Sequence, residues 1–306
     1  MDTRSVLQFT PEVEQALAAK KPVVALESTI VTHGMPFPEN LETAIAVEEE
    51  VRAAGAIPAT IAVMEGQIRI GLDRAALEAL AQAEDVMKLS RADLAFALAC
   101  RRTGSTTVAA TMMAAKLAGI EVFATGGIGG VHQGVEETLD ISADLRELAQ
   151  TSVITVCAGA KAILDIPRTL EVLETEGVPV VGYRTDELPA FWSRSSGISA
   201  PLRLDAVEDI AAFWRARKAI GQQGAILVAN PVPGDSEIPA DIMSGHIADA
   251  VRAAEAEGIR GKKVTPFLLG KILELTEGTS LAANIALIRN NARLAGEIAV
   301  ALAATA

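Results

Sequence analysis

Apolar and polar residues along this chain fall into two kinds of run. Short aliphatic blocks with little or no polar face occupy 22–26, 57–64, 120–125, 153–157, 178–181 and 225–229, as expected of strands buried on both sides of a sheet. The segment 67–72 adds a further strand. Longer stretches repeat apolar residues at helical spacing: 40–54, stopped by Gly55; 108–117, with Gly119 as its C-cap; 142–150; and a helix from about Ile166 that ends before Gly177. The last third reads as helices over 238–256, 265–275 and 281–303. Strands separated by helices imply a sheet covered on both faces, so the expected class is α/β, a three-layer αβα arrangement with a mainly parallel or mixed central sheet. No repeat or low-complexity tract interrupts the pattern. The Pro/Gly/Asp-rich stretch 230–235 reads as a loop over the sheet edge, and residues 1–306 are expected to form a single domain.

Composition narrows the partners. Half of the residues are hydrophobic but only 3% are aromatic, so the core must be built from Ala, Val, Ile and Leu. A net charge of −12 argues against nucleic acid as a partner. It does not argue against a small phosphorylated ligand, which a few cations and backbone amides can hold. The polar start Met1-Asp2-Thr3-Arg4-Ser5 leads into neither a signal sequence nor a membrane span, so a cytoplasmic location without membrane attachment is expected. Cys100 and Cys157 sit among small apolar residues and are expected to be reduced core thiols. His33, His132 and His246 share no metal-ligand spacing, which makes a structural zinc improbable.

Four places could carry chemistry. Glu27 lies just past the strand 22–26, where a carboxylate either caps or salt-bridges the strand end or serves as a proton donor. The segment 124–132 follows a strand and exposes four glycines; it is neither a dinucleotide fingerprint nor a P-loop, and serves either turn geometry or close approach to a phosphate or sugar. In 140–144, Ser142 is placed to cap a helix and Asp144 suits its dipole. Asp140 precedes the cap and could bind a hard divalent cation, directly or through water. Lys161 is a lone cation among small apolar residues directly after a strand, where it either snorkels to solvent or, partly desolvated, attacks a carbonyl. Lys88 is a second apolar-flanked cation and, with Arg91, could hold a phosphate.

Several long motifs in order carry a resemblance: Ala25-Leu26-Glu27-Ser28-Thr29-Ile30 with His33-Gly34-Met35-Pro36, then 123–132, 140–145, Cys157-Ala158-Gly159-Ala160-Lys161, Pro189-Ala190-Phe191, Ala229-Asn230-Pro231, 265–269 and 284–287. Together they closely resemble the pseudouridine-5′-phosphate glycosidase family, which includes the indigoidine-synthase A-like proteins, over nearly the whole chain. The resemblance implies a lyase, a pseudouridylate synthase, that reversibly cleaves pseudouridine 5′-phosphate to uracil and ribose 5-phosphate with a divalent metal, usually Mn²⁺. It implies that Lys161 forms a Schiff base with the ring-opened ribose, that Glu27 is the proton donor, and that Asp140 is the metal position. Lys88, Val108, Thr125, His132, Ser142, Ala143 and Asp144 match substrate-binding positions, and Asn284 is expected to face uracil. The family's αβα fold assembles as a homotrimer, which is the expected state here. Gln133 and Ala92 stand where the family pattern has basic residues. The alternatives are a Schiff-base lyase or aldolase acting on another sugar phosphate, and a non-catalytic sugar-phosphate sensor.

Overall fold

The computed structural model describes residues 3–261 and 264–304. Its main sheet runs Leu7–Phe9, Gln67–Ile70, Ile57–Met64, Val23–Leu26, Val122–Ala124, Ile154–Cys157, Ile226–Ala229, Val180–Tyr183 and Leu202–Leu204. From Ile57–Met64 to Leu202–Leu204 every neighbouring pair is parallel. Antiparallel pairing is confined to the other edge, where Gln67–Ile70 and Gly104–Thr106 both run against Ile57–Met64. The sheet is therefore mixed, with a parallel centre. The five central strands Val23–Leu26, Val122–Ala124, Ile154–Cys157, Ile226–Ala229 and Val180–Tyr183 are buried at every position. Such continuous apolar runs are what two covered faces require.

Two groups of helices supply the cover. Helices Glu39–Ala53, Val207–Ala219 and Thr279–Ala303 pack together, the last lying across Val23–Leu26, Val122–Ala124 and Ile154–Cys157. Helices Val108–Ala118, Ala143–Gln150 and Ile166–Thr175 form the second group, and Val108–Ala118 also contacts Val23–Leu26 and Val122–Ala124. The expected αβα layering holds. The core is aliphatic, with Trp192, Trp214 and Phe123 as its largest fully buried rings.

The predicted strands and the long helices recur with ends shifted by a residue or two, as at Ala240–Ala256, Val264–Leu275 and Thr279–Ala303. Gly119 adopts the left-handed conformation at the C-cap of Val108–Ala118, and the Ser142 side chain caps Ala143–Gln150. Residues 230–235 begin inside the fold: Asn230 and Val232 are buried, and the Pro231 carbonyl accepts from Asn290 Nδ2 at 3.1 Å. The pattern did not predict the strands Leu7–Phe9, Met87–Leu89, Gly104–Thr106 and Leu202–Leu204, each three residues long and too short to show a period.

One expectation fails. Cys100, placed in the core from its apolar neighbours, is exposed at the C-cap of Leu94–Ala99, because that short helix buries only Leu94 and Ala97. Cys157 is buried, and desolvation pushes its thiol up to about 12. In the native protein a disulfide-exchange reagent should therefore titrate one thiol quickly. The second should react only on unfolding, and Cys100→Ser should abolish the fast phase.

Candidate active site

A cavity of about 550 Å³ opens at the C-terminal ends of the parallel strands, where ligand crevices of open α/β sheets form. Glu27, Lys88, Val108, His132, Asp140, Ser142, Ala143, Asp144, Lys161 and Asn284 all line it. Ten of the eleven site residues expected from the sequence thus meet on one surface, although they span most of the chain. Thr125 is the exception, being fully buried behind Glu27.

Glu27 directly follows Val23–Leu26, and its carboxylate is gripped on both sides. The Thr125 hydroxyl donates to one oxygen and the Thr29 hydroxyl to the other. Thr125 is fixed in turn, because its carbonyl accepts from Asn291 Nδ2 at 2.9 Å and Asn291 Oδ1 accepts from Asn230 Nδ2 at 3.0 Å. Asn291 is wholly buried on the long C-terminal helix, where an unpaired amide would be costly, so the chain of bonds must be complete.

Lys161 lies four residues past the end of Ile154–Cys157, and its ammonium donates to the Gly127 carbonyl. Among the described residues it forms no salt bridge. Its loop is laced to the glycine-rich segment by backbone bonds from Ile128 N to Gly159 O and from Lys161 N to Ile128 O, both 3.1 Å, and from Ala158 N to Gly126 O at 2.9 Å. The glycines are demanded by close approach. A Cβ on Gly127 would sit 2.7 Å from the Phe191 ring, and one on Gly129 would sit 2.6 Å from Ser142 Cβ and 2.8 Å from Asp144 Oδ2.

The cavity wall also carries helix ends. Val108 and Ala143 each open a helix, so their N–H groups are among the donors left without intrahelical partners. Asp144 joins the two ends by accepting from Ala109 N at 3.0 Å and from Gly129 N at 2.8 Å. Its carboxylate therefore clamps the glycine loop while edging the cavity. Lys88 reaches the cavity from Met87–Leu89. Arg91, expected to share a phosphate with Lys88, turns away to pair with the buried carboxylate of Glu147 and does not line the cavity.

Asp140 is half-buried on the cavity wall, and its carbonyl accepts from His132 N at 3.0 Å. Its carboxylate enters no salt bridge among the described residues. Desolvation holds His132 below the usual imidazole range, opposed by the charge of Asp140. His33 is lowered by desolvation first and then by the charge of Lys88. Both rings are thereby biased towards the neutral form. Sequence reasoning gave no site role to His33, Ser90 or the helix Val264–Leu275, which contributes Thr265, Pro266 and Leu269 to the wall. It also missed the role of Phe191, whose backbone sits at φ +63 and whose ring covers Gly127. A non-glycine residue held there is a strain often stored at ligand sites.

A lysine and a carboxylate held on loops after parallel strands, on a cavity also lined by the first residues of two helices, define an α/β protein with a cavity at the C-terminal ends of its sheet. The chain belongs to the indigoidine synthase A like protein family, whose model matches residues 12–301. A Methylobacterium nodulans protein named pseudouridine-5′-phosphate glycosidase is 66% identical, covering 97% of this chain and 88% of that one. A Paracoccus denitrificans protein of the same name is 63% identical over 97% and 99%. Among solved structures, the prealnumycin C-glycosynthase AlnA in complex with ribulose 5-phosphate superimposes with a TM-score of 0.91 at 40% identity, covering 98% of both chains. An indigoidine synthase A-like protein from Thermotoga maritima gives a TM-score of 0.88 at 37% identity over 97% of both.

The packing around Gly129 gives a direct test. Gly129→Ala should lower the unfolding free energy by about 1–3 kcal/mol. Gly234→Ala, whose Cβ would meet nothing within 4 Å, should change it by less than about 0.5 kcal/mol. Urea denaturation measures both.

Proposed function

We propose that this protein is a pseudouridine-5′-phosphate glycosidase that splits its substrate reversibly into uracil and ribose 5-phosphate through a Schiff base on Lys161. The observation that carries the reading is the placement of Glu27 and Lys161 on one cavity, tied to each other through the backbone of residues 125–127. The names of the close relatives and the sugar phosphate bound by AlnA support it.

A carbon–carbon glycosidic bond offers no leaving oxygen or nitrogen to protonate, so the paired-carboxylate route of ordinary glycosidases has little to act on. In the proposed reaction the Lys161 nitrogen bonds to C1′ as the ribose ring oxygen leaves with a proton from Glu27. The base then tautomerises, gaining a proton at the carbon bonded to C1′ and losing one from a ring nitrogen, so that this carbon becomes tetrahedral. The lysine nitrogen lone pair forms the C=N bond while the electrons of the C1′–base bond flow into the conjugated ring of the base. Return of a proton to the ring nitrogen gives uracil. Water hydrolyses the iminium, releasing ribose 5-phosphate and restoring the amine.

Lys88 and the helix N-termini at Val108 and Ala143 supply the donors for the phosphate. His132 and Ser142 edge the same region, and Asn284 faces the base. A divalent ion such as Mn²⁺ fits the donor chemistry at Asp140, an oxygen ligand with no competing salt bridge. No group of three or more His, Cys, Asp or Glu side chains gathers for a metal among the described residues. Asp140 would hold the ion largely through its waters. When bound, it would supply positive charge beside the sugar-phosphate oxygens. The family resemblance adds a cytoplasmic homotrimer to this reading. Among the described residues no helix is long and apolar enough to cross a membrane.

With pseudouridine 5′-phosphate and Mn²⁺ the purified protein should release uracil, and chelation should suppress the release. Lys161→Ala should lower kcat by about 10³-fold or more. Borohydride should fix a ribose-phosphate adduct on Lys161, located by peptide mass. Trapping of a different sugar phosphate without uracil release would move the assignment to another Schiff-base lyase, and no trapping at all to a sugar-phosphate sensor.

A further inference from the structure

Asn284 faces the cavity from the helix Thr279–Ala303, and its Oδ1 accepts from Trp192 Nε1 at 2.7 Å. The same indole N–H lies 3.2 Å from the Ser280 carbonyl. An indole nitrogen can only donate, so the atom it meets at the shorter distance must be the amide oxygen. Both hydrogens of Asn284 Nδ2 are then directed elsewhere. Among the described residues no protein group accepts from them, and Asn284 borders the cavity.

Trp192 has no freedom to release this grip. The ring is 1% exposed and meets Phe191 edge-on, with centroids 5.0 Å apart and planes at 70°. Its backbone carbonyl accepts from Ile238 N at 2.9 Å, and the neighbouring Ser193 hydroxyl donates to the Ile238 carbonyl at 2.7 Å. A free asparagine amide presents a donor or an acceptor with equal ease by turning over. Here one of those choices is removed.

We propose that Trp192 is a positioning residue for base recognition: by holding Asn284 Oδ1 it presents the Nδ2 hydrogens to a ring carbonyl oxygen of the pyrimidine. The identity of the base rests on the function proposed above. A fixed donor favours uracil, which carries a carbonyl oxygen at both flanking positions of its ring, over cytosine, which replaces one with an amino group. Discrimination of this kind is strong when the wrong partner leaves a site donor unpaired.

The test titrates uracil and cytosine into the wild type, Asn284→Asp and Trp192→Phe in the presence of ribose 5-phosphate, and measures both KM values in the synthetic direction. Asn284→Asp keeps an acceptor for Trp192 and replaces the Nδ2 donors with a second, negatively charged acceptor oxygen. It should weaken uracil binding about tenfold or more. Trp192→Phe should weaken it about three- to tenfold and narrow the preference for uracil over cytosine. The KM for ribose 5-phosphate should stay within about twofold in both variants, a split that a general loss of structure would not produce. The proposal fails if Asn284→Asp binds uracil as the wild type does, if both KM values rise together, or if the wild type does not bind uracil. Uracil binding with the expected pattern, but without release from pseudouridine 5′-phosphate, would keep the base contact and discard the reaction.

Discussion

The backbone between Thr125 and Gly130 is the constraint on which the site depends, because Glu27, Lys161, Asp144 and Ser142 are all referenced to it. Its Thr125 side chain grips Glu27, its Gly127 carbonyl receives Lys161, and its Gly129 amide is held by Asp144. The Gly130 carbonyl accepts from Ser142 N at 3.0 Å. A segment with this many neighbours has no room for side chains, and a Cβ on Gly130 would sit 2.9 Å from the Thr169 methyl. The glycines thus serve close approach here more than turning. A shift of this strand of backbone would move the acid, the amine and the helix-end donors together.

Lys161 is paired with a backbone carbonyl and, among the described residues, with no carboxylate. The surface cations behave differently: Arg52 pairs with Glu12, Arg203 with Asp186 and Asp205, and Arg289 with Glu50. Arg91 follows the same habit through Glu147, which leaves Lys88 as the cation brought to the cavity from that side. Among the described residues these arginines are paired with carboxylates, whereas Lys161 meets a carbonyl.

Much of this was legible in the chain because parallel strands buried on both faces leave unbroken aliphatic runs, and the groups that follow such runs fall at one end of the sheet. Glu27 and Lys161 were found that way. Thr125, expected to bind substrate, does not line the cavity and donates to Glu27; a threonine after a strand looks the same in sequence whether its hydroxyl meets ligand or a neighbouring carboxylate. Arg91 was misplaced for a similar reason, since its partner Glu147 lies 56 residues away and nothing local announces it. Phe191 was visible only as part of a motif; its left-handed backbone and its seat on Gly127 are products of tertiary packing.

The long C-terminal helix shows how such packing turns into function. Asn284 and Asn291 are seven residues apart, two turns along one face, with the cavity-lining Leu287 and Ile288 between them. One amide meets the cavity and the other supports Thr125, and through it Glu27. Seven residues rise about 10.5 Å along an α-helix, so that spacing is set by secondary structure and not by a loop. Gly296 lets the same helix settle closely on Glu39–Ala53, where a Cβ would lie 2.6 Å from that of Ala54. The separation between the cavity amide of Asn284 and the amide of Asn291 that supports Thr125 and Glu27 is in this way built into one helix packed against the sheet.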